Sequence, residues 1–97
     1  MDNQKKFRVY LLLCKDGSLY CGISNDITRR LKIHNAGRGS RYTRSRLPVK
    51  LHVLGCTLSK QEALKLEYKI KHTCRQNKVA MLLAAKSSKR RKKADNG

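Results

Sequence analysis

Apolar and polar positions alternate along this chain with two different rhythms. From Phe7 to Cys14, "FRVYLLLC", hydrophobic side chains run almost unbroken, and a second β-rich run, "SLYCGIS", spans 18–24. Short apolar runs bounded by turn residues predict strands, and one that is apolar on both faces predicts a central strand. Lys15-Asp16-Gly17 between the two runs is a hairpin signal. "VKLHVLGCT" (49–57) predicts a third strand. Elsewhere the spacing lengthens to that of a helix. Ser24, Asn25 or Asp26 can cap a helix that reaches Asn35 and is ended by "AGRG". Ser59-Lys60-Gln61-Glu62 is a capping-box pattern opening a second helix that runs to about Thr73. "RQNKVAMLLAA" (75–85) predicts a third, short helix, and "RGSRYTRSRLP" (38–48) reads as a basic loop. The sequence contains no internal repeat.

Hairpin register decides which side chains share a face. Lys15-Asp16-Gly17 as a three-residue loop sets Tyr10 opposite Gly22 and Leu12 opposite Tyr20, with both tyrosines on one face. A two-residue Asp-Gly turn shifts the pairing by one and separates them. Local sequence is compatible with either turn.

The helix wheel singles out unusual residues. At about 100° per residue, Ile27, Leu31 and His34 share the inward stripe of the first helix, Arg30 lies at its edge and Arg29 points away. A core histidine with a satisfied ring is the plainer use of His34, and snorkelling the plainer use of Arg30. On the second helix Glu67 falls inside the stripe marked by Ala63, Leu66 and Ile70. A buried carboxylate is costly without a partner. An i,i+4 pair with Lys71 is the simple explanation, yet exposed pairs of that kind contribute only tenths of a kcal/mol. Asp16 suits a turn, Asp26 a helix start and Glu62 a cap, while Asp2 and Asp95 lie near the ends, so Glu67 alone lacks a structural role. A carboxylate on a phosphate-binding surface repels its ligand unless a cation lies between them.

Composition supplies the ligand class. With 24 Lys/Arg against 6 Asp/Glu the 97-residue chain carries +18, which implies a polyanionic partner, nucleic acid before an anionic membrane. Its apolar runs are far shorter than a membrane span, and it has no long amphipathic basic helix. Cys14, Cys21, Cys56 and Cys74 form no C-x-x-C pair, which argues against zinc and suits buried thiols in a reducing cytosol. The expected division is a flexible start (1–6), one folded module (7–85) and a basic disordered tail (86–97) without apolar anchors. The expected location is cytoplasmic, on the nucleoid in a bacterium or in the nucleus for a eukaryotic or viral chain.

Together these residues resemble the GIY-YIG nuclease superfamily, in particular small stand-alone members and the catalytic module of structure-specific endonucleases. Arg8-Val9-Tyr10 stands where Gly-Ile-Tyr is expected, and Tyr20-Cys21-Gly22 where Tyr-Ile-Gly is expected. Arg30 follows Gly22 by eight residues, His34 by four more, and Glu67-Tyr68 lies in the second helix. "KDGSLYCGI", "RRLKIHN", "YTRSRLPV" and "EALKLEYKIK" all resemble the small-member pattern, over roughly 7–84. The asparagine that some members carry near the end of the module has no counterpart in "AMLLAA".

The resemblance implies an α+β fold, a three-stranded antiparallel sheet flanked by helices (β-β-α-β-α-α), and it favours the three-residue loop. It implies that Tyr10, Tyr20, Arg30, His34 and Glu67 line one cleft. The expected activity is Mg2+- or Mn2+-dependent hydrolysis of phosphodiester bonds in duplex or branched DNA, with Glu67 as metal ligand. A tyrosine, Tyr10 or Tyr20, would take the proton of the attacking water, Arg30 would hold the phosphate, and His34 would orient a tyrosine or move a proton. Arg29, Arg38, Arg41, Arg44, Arg46, Lys50 and Lys71 would contact the nucleic-acid backbone, and Tyr42 would stack on an unpaired base. No membrane and no small-molecule cofactor beyond the metal is expected, and the oligomeric state is left open. A non-catalytic nucleic-acid-binding protein, DNA-architectural or RNA-associated, accounts equally for the charge, as does a protein adaptor tethered by its tail. Neither accounts for His34 and Glu67 on inward stripes.

Overall fold

A computed structural model describes residues 6–96 of the chain, with side chains described over 6–85. The elements in order are β1 (Arg8–Leu13), β2 (Leu19–Ser24), α1 (Ile27–Asn35), α2 (Arg41–Arg44), β3 (Lys50–Leu54), α3 (Lys60–Lys71) and α4 (Arg75–Asn96). The three strands form one antiparallel sheet in the order β2-β1-β3, so the apolar run at Arg8–Leu13 is central as its pattern demanded. Both faces of β1 are covered. Val9 and Leu11 pack with Cys21, Ala63, Ile70 and Leu82 under α3 and α4. Tyr10, Leu12 and Cys14 pack with Val49, Tyr20, Ile27 and Leu31 under α1.

The hairpin adopts the three-residue loop. Leu13 pairs with Leu19, Leu12 with Tyr20 and Tyr10 with Gly22. The Cys14 amide donates to the Ser18 carbonyl at 2.9 Å, and Gly17 takes a φ of +87°, which a side chain disfavours. Tyr10 and Tyr20 therefore share the α1 face. A register irregularity between Leu11 and Leu12 adjusts the pairing of β1 with β3.

Helix ends follow local chemistry. The Asp26 carboxylate accepts from the Arg29 amide at 3.1 Å and caps α1. At the other end Gly37, at φ +80°, lets its own amide reach the His34 carbonyl and the Arg38 amide reach that of Ile33. Asn35 then ties α1 to the sheet: its side chain donates to the Val49 carbonyl at 3.0 Å and accepts from the Val49 amide at 2.8 Å. The capping box at Ser59 and Glu62 opens α3 as its sequence indicated.

Three details differ from the sequence reading. The basic loop contains a single helical turn, α2, whose cap is Ser40. α3 ends at Lys71, two residues early, which leaves Cys74 exposed beyond it. α4 extends through the basic run at 86–96, rich in Lys and Arg and free of Gly and Pro, where the charge pattern favoured a tail. The side chains of that run, and residues 1–5 expected to be loose, lie outside the described residues. Among the described residues no helix is long and apolar enough to cross a membrane.

Candidate active site

Four of the five expected residues meet on the α1 face of the sheet. The Tyr10 hydroxyl lies 3.1 Å from His34 Nε2, and His34 Nδ1 lies 2.9 Å from Thr43 Oγ1. The Tyr20 ring stands edge-on to His34 with centroids 5.3 Å apart. Arg30, one turn before His34 on α1, donates to the Gly39 carbonyl at 3.4 Å and brings its positive charge near the Tyr10 hydroxyl. Tyr10, His34 and Thr43 are all but sealed from solvent, whereas Tyr20 and Arg30 are half-buried.

Hydrogen-bond directions follow from the partners. Thr43 directs its hydroxyl proton to the Ser40 carbonyl at 3.3 Å, so its oxygen accepts from His34 Nδ1–H. Nε2 is then left as the acceptor for the Tyr10 hydroxyl. Burial pushes the His34 ring below its ordinary pKa, and the Arg30 charge adds to the effect, so the imidazole is neutral near pH 7. Burial likewise raises the Tyr10 phenol above its ordinary value against the lowering influence of Arg30. Tyr10 is thus a protonated, buried donor, and Tyr20 is the tyrosine within reach of solvent.

Two glycines make this packing possible. A Cβ on Gly22 would strike the Tyr10 hydroxyl, and one on Gly39 would strike the His34 ring at Nδ1. Gly22 belongs to the expected motif. Gly39 and Thr43 were missed, because their importance depends on α2. The "SRYT" pairing of hydroxyl residues was the available signal: Ser40 Oγ accepts from the Thr43 amide at 3.1 Å.

Glu67 lies on α3, which packs against the outer strand β2. Its Oε2 is 3.4 Å from Lys71 Nζ, and that ammonium is 5.7 Å from the centre of the Tyr20 ring. The carboxylate therefore joins the other four around the β2 edge through Lys71. Its side chain is 20% exposed, enough to be reached by water and ligand. Among the described residues no three His, Cys, Asp or Glu side chains gather as a metal cluster. A cation held by several protein ligands does not fit here. Mg2+ held by one carboxylate, with water and phosphate oxygens completing its shell, fits the donor set.

The expected backbone contacts divide into two groups. Arg29, Arg38, Arg41, Arg44 and Lys50 are exposed on α1, on α2 and the loop before it, and at the start of β3. Arg46 is already engaged: it pairs with Asp16 at 2.9 Å, donates to the Tyr42 carbonyl at 2.8 Å, and sets its guanidinium 3.8 Å over the Tyr42 ring. The other side of Tyr42 stacks on Tyr20, with centroids 5.9 Å apart. Tyr42 is held between an arginine and a tyrosine, which makes it a support for Tyr20.

The site is thus two tyrosines of an antiparallel sheet, an arginine and a histidine of the helix packed on it, and Glu67 of α3 at the sheet's edge, the arrangement expected of a nuclease module. The model of the GIY-YIG catalytic domain matches residues 6–80, and the chain belongs to that family. It is 55% identical over 69 residues to a UPF0213 protein of Bacillus licheniformis, covering 71% of each chain. It is 47% identical over 74 residues to the UPF0213 protein BH0048 of Halalkalibacterium halodurans, covering 76% of this chain and 79% of that one. The solution NMR structure of EF2693 from E. faecalis is similar in fold, with a TM-score of 0.53 at 38% identity over 80% of this chain and 83% of that one. The names of these relatives state no activity. Family membership carries the nuclease class and a nucleic-acid substrate.

Proposed function

We propose that this protein is a Mg2+-dependent endonuclease that hydrolyses phosphodiester bonds in DNA. The observation that supports it best is the convergence of Tyr10, Tyr20, Arg30 and His34 on one face with Glu67 joined to them through Lys71. In this reading Tyr20, half-buried and within reach of solvent, takes the proton of the attacking water. Tyr10 and His34 hold the floor of the cleft rigid, the tyrosine donating to a neutral imidazole. Arg30 forks onto the phosphate as charge builds on it. Glu67 would hold the ion, which when bound supplies polarisation of the phosphate and charge for the leaving 3′ oxygen. Exposed Arg29, Arg38, Arg41 and Arg44 grip the backbone on either side.

The test is cleavage of flap, fork, junction, single-stranded and linear duplex DNA by wild type and Glu67→Gln, with Mg2+, with Mn2+ and with chelator. Wild type is expected to cut in the presence of the ion alone, and Glu67→Gln to lose cutting while binding DNA at least as tightly, since a negative charge beside phosphate has gone. Wild-type rates in Glu67→Gln sink the metal-ligand role. No cutting of any substrate favours a purely binding role for this basic chain.

A further inference from the structure

Of the four tyrosines, three are committed within the fold. Tyr10 is buried, Tyr20 lies against His34 and Tyr42, and Tyr42 is clasped by Arg46. Tyr68 on α3 is different: it is 66% exposed, and Leu64 one turn earlier is 44% exposed. One side of its ring meets His72 at a centroid distance of 4.2 Å, and His72 Nδ1 donates to the Tyr68 carbonyl at 2.8 Å. Leu64, Lys65, Tyr68 and Lys69 line a shallow apolar groove along the outer face of the helix. An exposed apolar stripe flanked by lysines is costly to leave bare and is built for a ligand with flat apolar faces and negative charge. A second copy of the same chain does not suit it, because both partners carry +18.

We infer that the Leu64–Tyr68–His72 face is a stacking platform for unpaired bases, with Lys65 and Lys69 on the phosphates. The inference rests on the nuclease reading only in naming DNA as the ligand, and it narrows the substrate to DNA with a single-stranded arm. Continuity with the cleft supports it. Tyr68 follows Glu67 directly, and Lys71 is one turn from both, at i+3 and i+4. A strand with a phosphate at Lys71 can lay its next base on Tyr68. A flat ring serves any base sequence, and each base–aromatic stack adds substantially to affinity.

The test uses the full chain in chelator, so that nothing is cut. Two probes are compared: a thymidine oligomer of about 12 nucleotides and an abasic phosphodiester chain of the same length, within the range one binding module spans. Tyr68→Ala is expected to weaken the thymidine oligomer about tenfold, leave the abasic chain within about twofold, and be rescued by Tyr68→Trp. Equal losses on both probes, or none on either, overturn the platform. So does an equal loss for poly-glutamate, which would point to an acidic protein partner. Tyr68 is exposed and its hydrogen bond is through its backbone, so the variant keeps its fold, checked by circular dichroism. The two readings fail separately. A protein that cuts no DNA but keeps the base-dependent loss retains the platform without the nuclease, and one that cuts without that loss retains the nuclease alone.

Discussion

The Tyr10 hydroxyl and His34 Nε2 are 3.1 Å apart inside the protein, with 1% and 0% of the two residues exposed. The histidine at this position is therefore both a core residue and part of the wall of the candidate site. Its other nitrogen depends on Thr43, which is itself fully buried. Thr43→Val keeps the shape and leaves Nδ1–H without an acceptor, at a cost of about 1–3 kcal/mol. Thr43→Ser keeps the acceptor and should lose much less. Thermal unfolding and single-turnover cleavage of both variants check this; a loss in Thr43→Ser as large as or larger than in Thr43→Val would contradict the hydroxyl's role as acceptor.

The buried imidazole should make stability depend on pH. The folded-state pKa of His34 is lowered, so the unfolded chain binds a proton first and unfolding gains as pH falls. The contribution is fully present above the ordinary histidine value of about 6.5 and is lost as pH drops through the lowered folded value. Melting temperatures from pH 8 to pH 4.5 should fall in wild type, and His34→Gln should flatten the part of the curve just below about 6.5. A wild-type curve that rises toward low pH contradicts a buried neutral ring.

Adjacent arginines should behave differently. Arg30 is half-buried beside Tyr10, and Arg29 is exposed on the outer side of α1. Arg30→Ala should lower turnover by about 10²-fold, the scale of one lost transition-state donor. Arg29→Ala should weaken DNA binding and leave turnover at saturating DNA close to wild type. Single-turnover rates separate the two, and matching losses of rate would remove Arg30 from the chemistry.

Gly39→Ala adds one methyl group at a backbone position that is not left-handed, so its effect is steric. That methyl meets the His34 ring, and either α2 or the imidazole must give way. Overpacking of this kind costs about 1–3 kcal/mol. The expected signature is loss of the Tyr10–His34 contact, read as a changed imidazole resonance by NMR, with reduced cleavage. An unchanged spectrum would show that the loop can yield freely.

The sequence carried most of the architecture because its signals were local and redundant. Strand runs, the capping box at Ser59–Glu62 and the glycine after α1 each act over a few residues. The inward stripe of α1 likewise located His34, and the burial of Ile27, Leu31 and His34 follows it. What escaped depends on contacts between distant segments. α2 is one turn long, too short for any periodicity, so the Thr43 partner of His34 was invisible. Arg46 and Tyr42 read as free phosphate and base contacts because nothing in a basic loop announces the bond to Asp16, thirty residues away in the hairpin. Glu67 was legible as an oddity on a helix face, and its link to Tyr20 through Lys71 required the fold.

Charge at the end of the chain should be felt in salt dependence. If Lys89, Arg90, Arg91, Lys92 and Lys93 contact phosphates, each contact contributes about 0.9 to the slope of log affinity against log salt. Removing residues 87–97 should flatten that slope by up to about 4 and weaken binding at low salt. Turnover at saturating DNA should stay, since every residue placed at the site precedes α4. An unchanged slope excludes the run from DNA binding, and a collapsed turnover means that α4 supports the cleft.

The loop Lys15-Asp16-Gly17 makes this protein's chemistry a matter of reading frame in space. Its length fixes β2 so that Tyr20 faces α1 and Cys21 faces α3. A strand slipped by one position would exchange them, turning the thiol toward His34 and driving the phenol into the opposite core. Every active-site residue would still be present, unaltered in identity and nearly unaltered in sequence distance, and the cleft would be gone. The hairpin therefore admits no change in its count, and a single codon deleted at its tip would silence the cleft as thoroughly as removing a catalytic side chain.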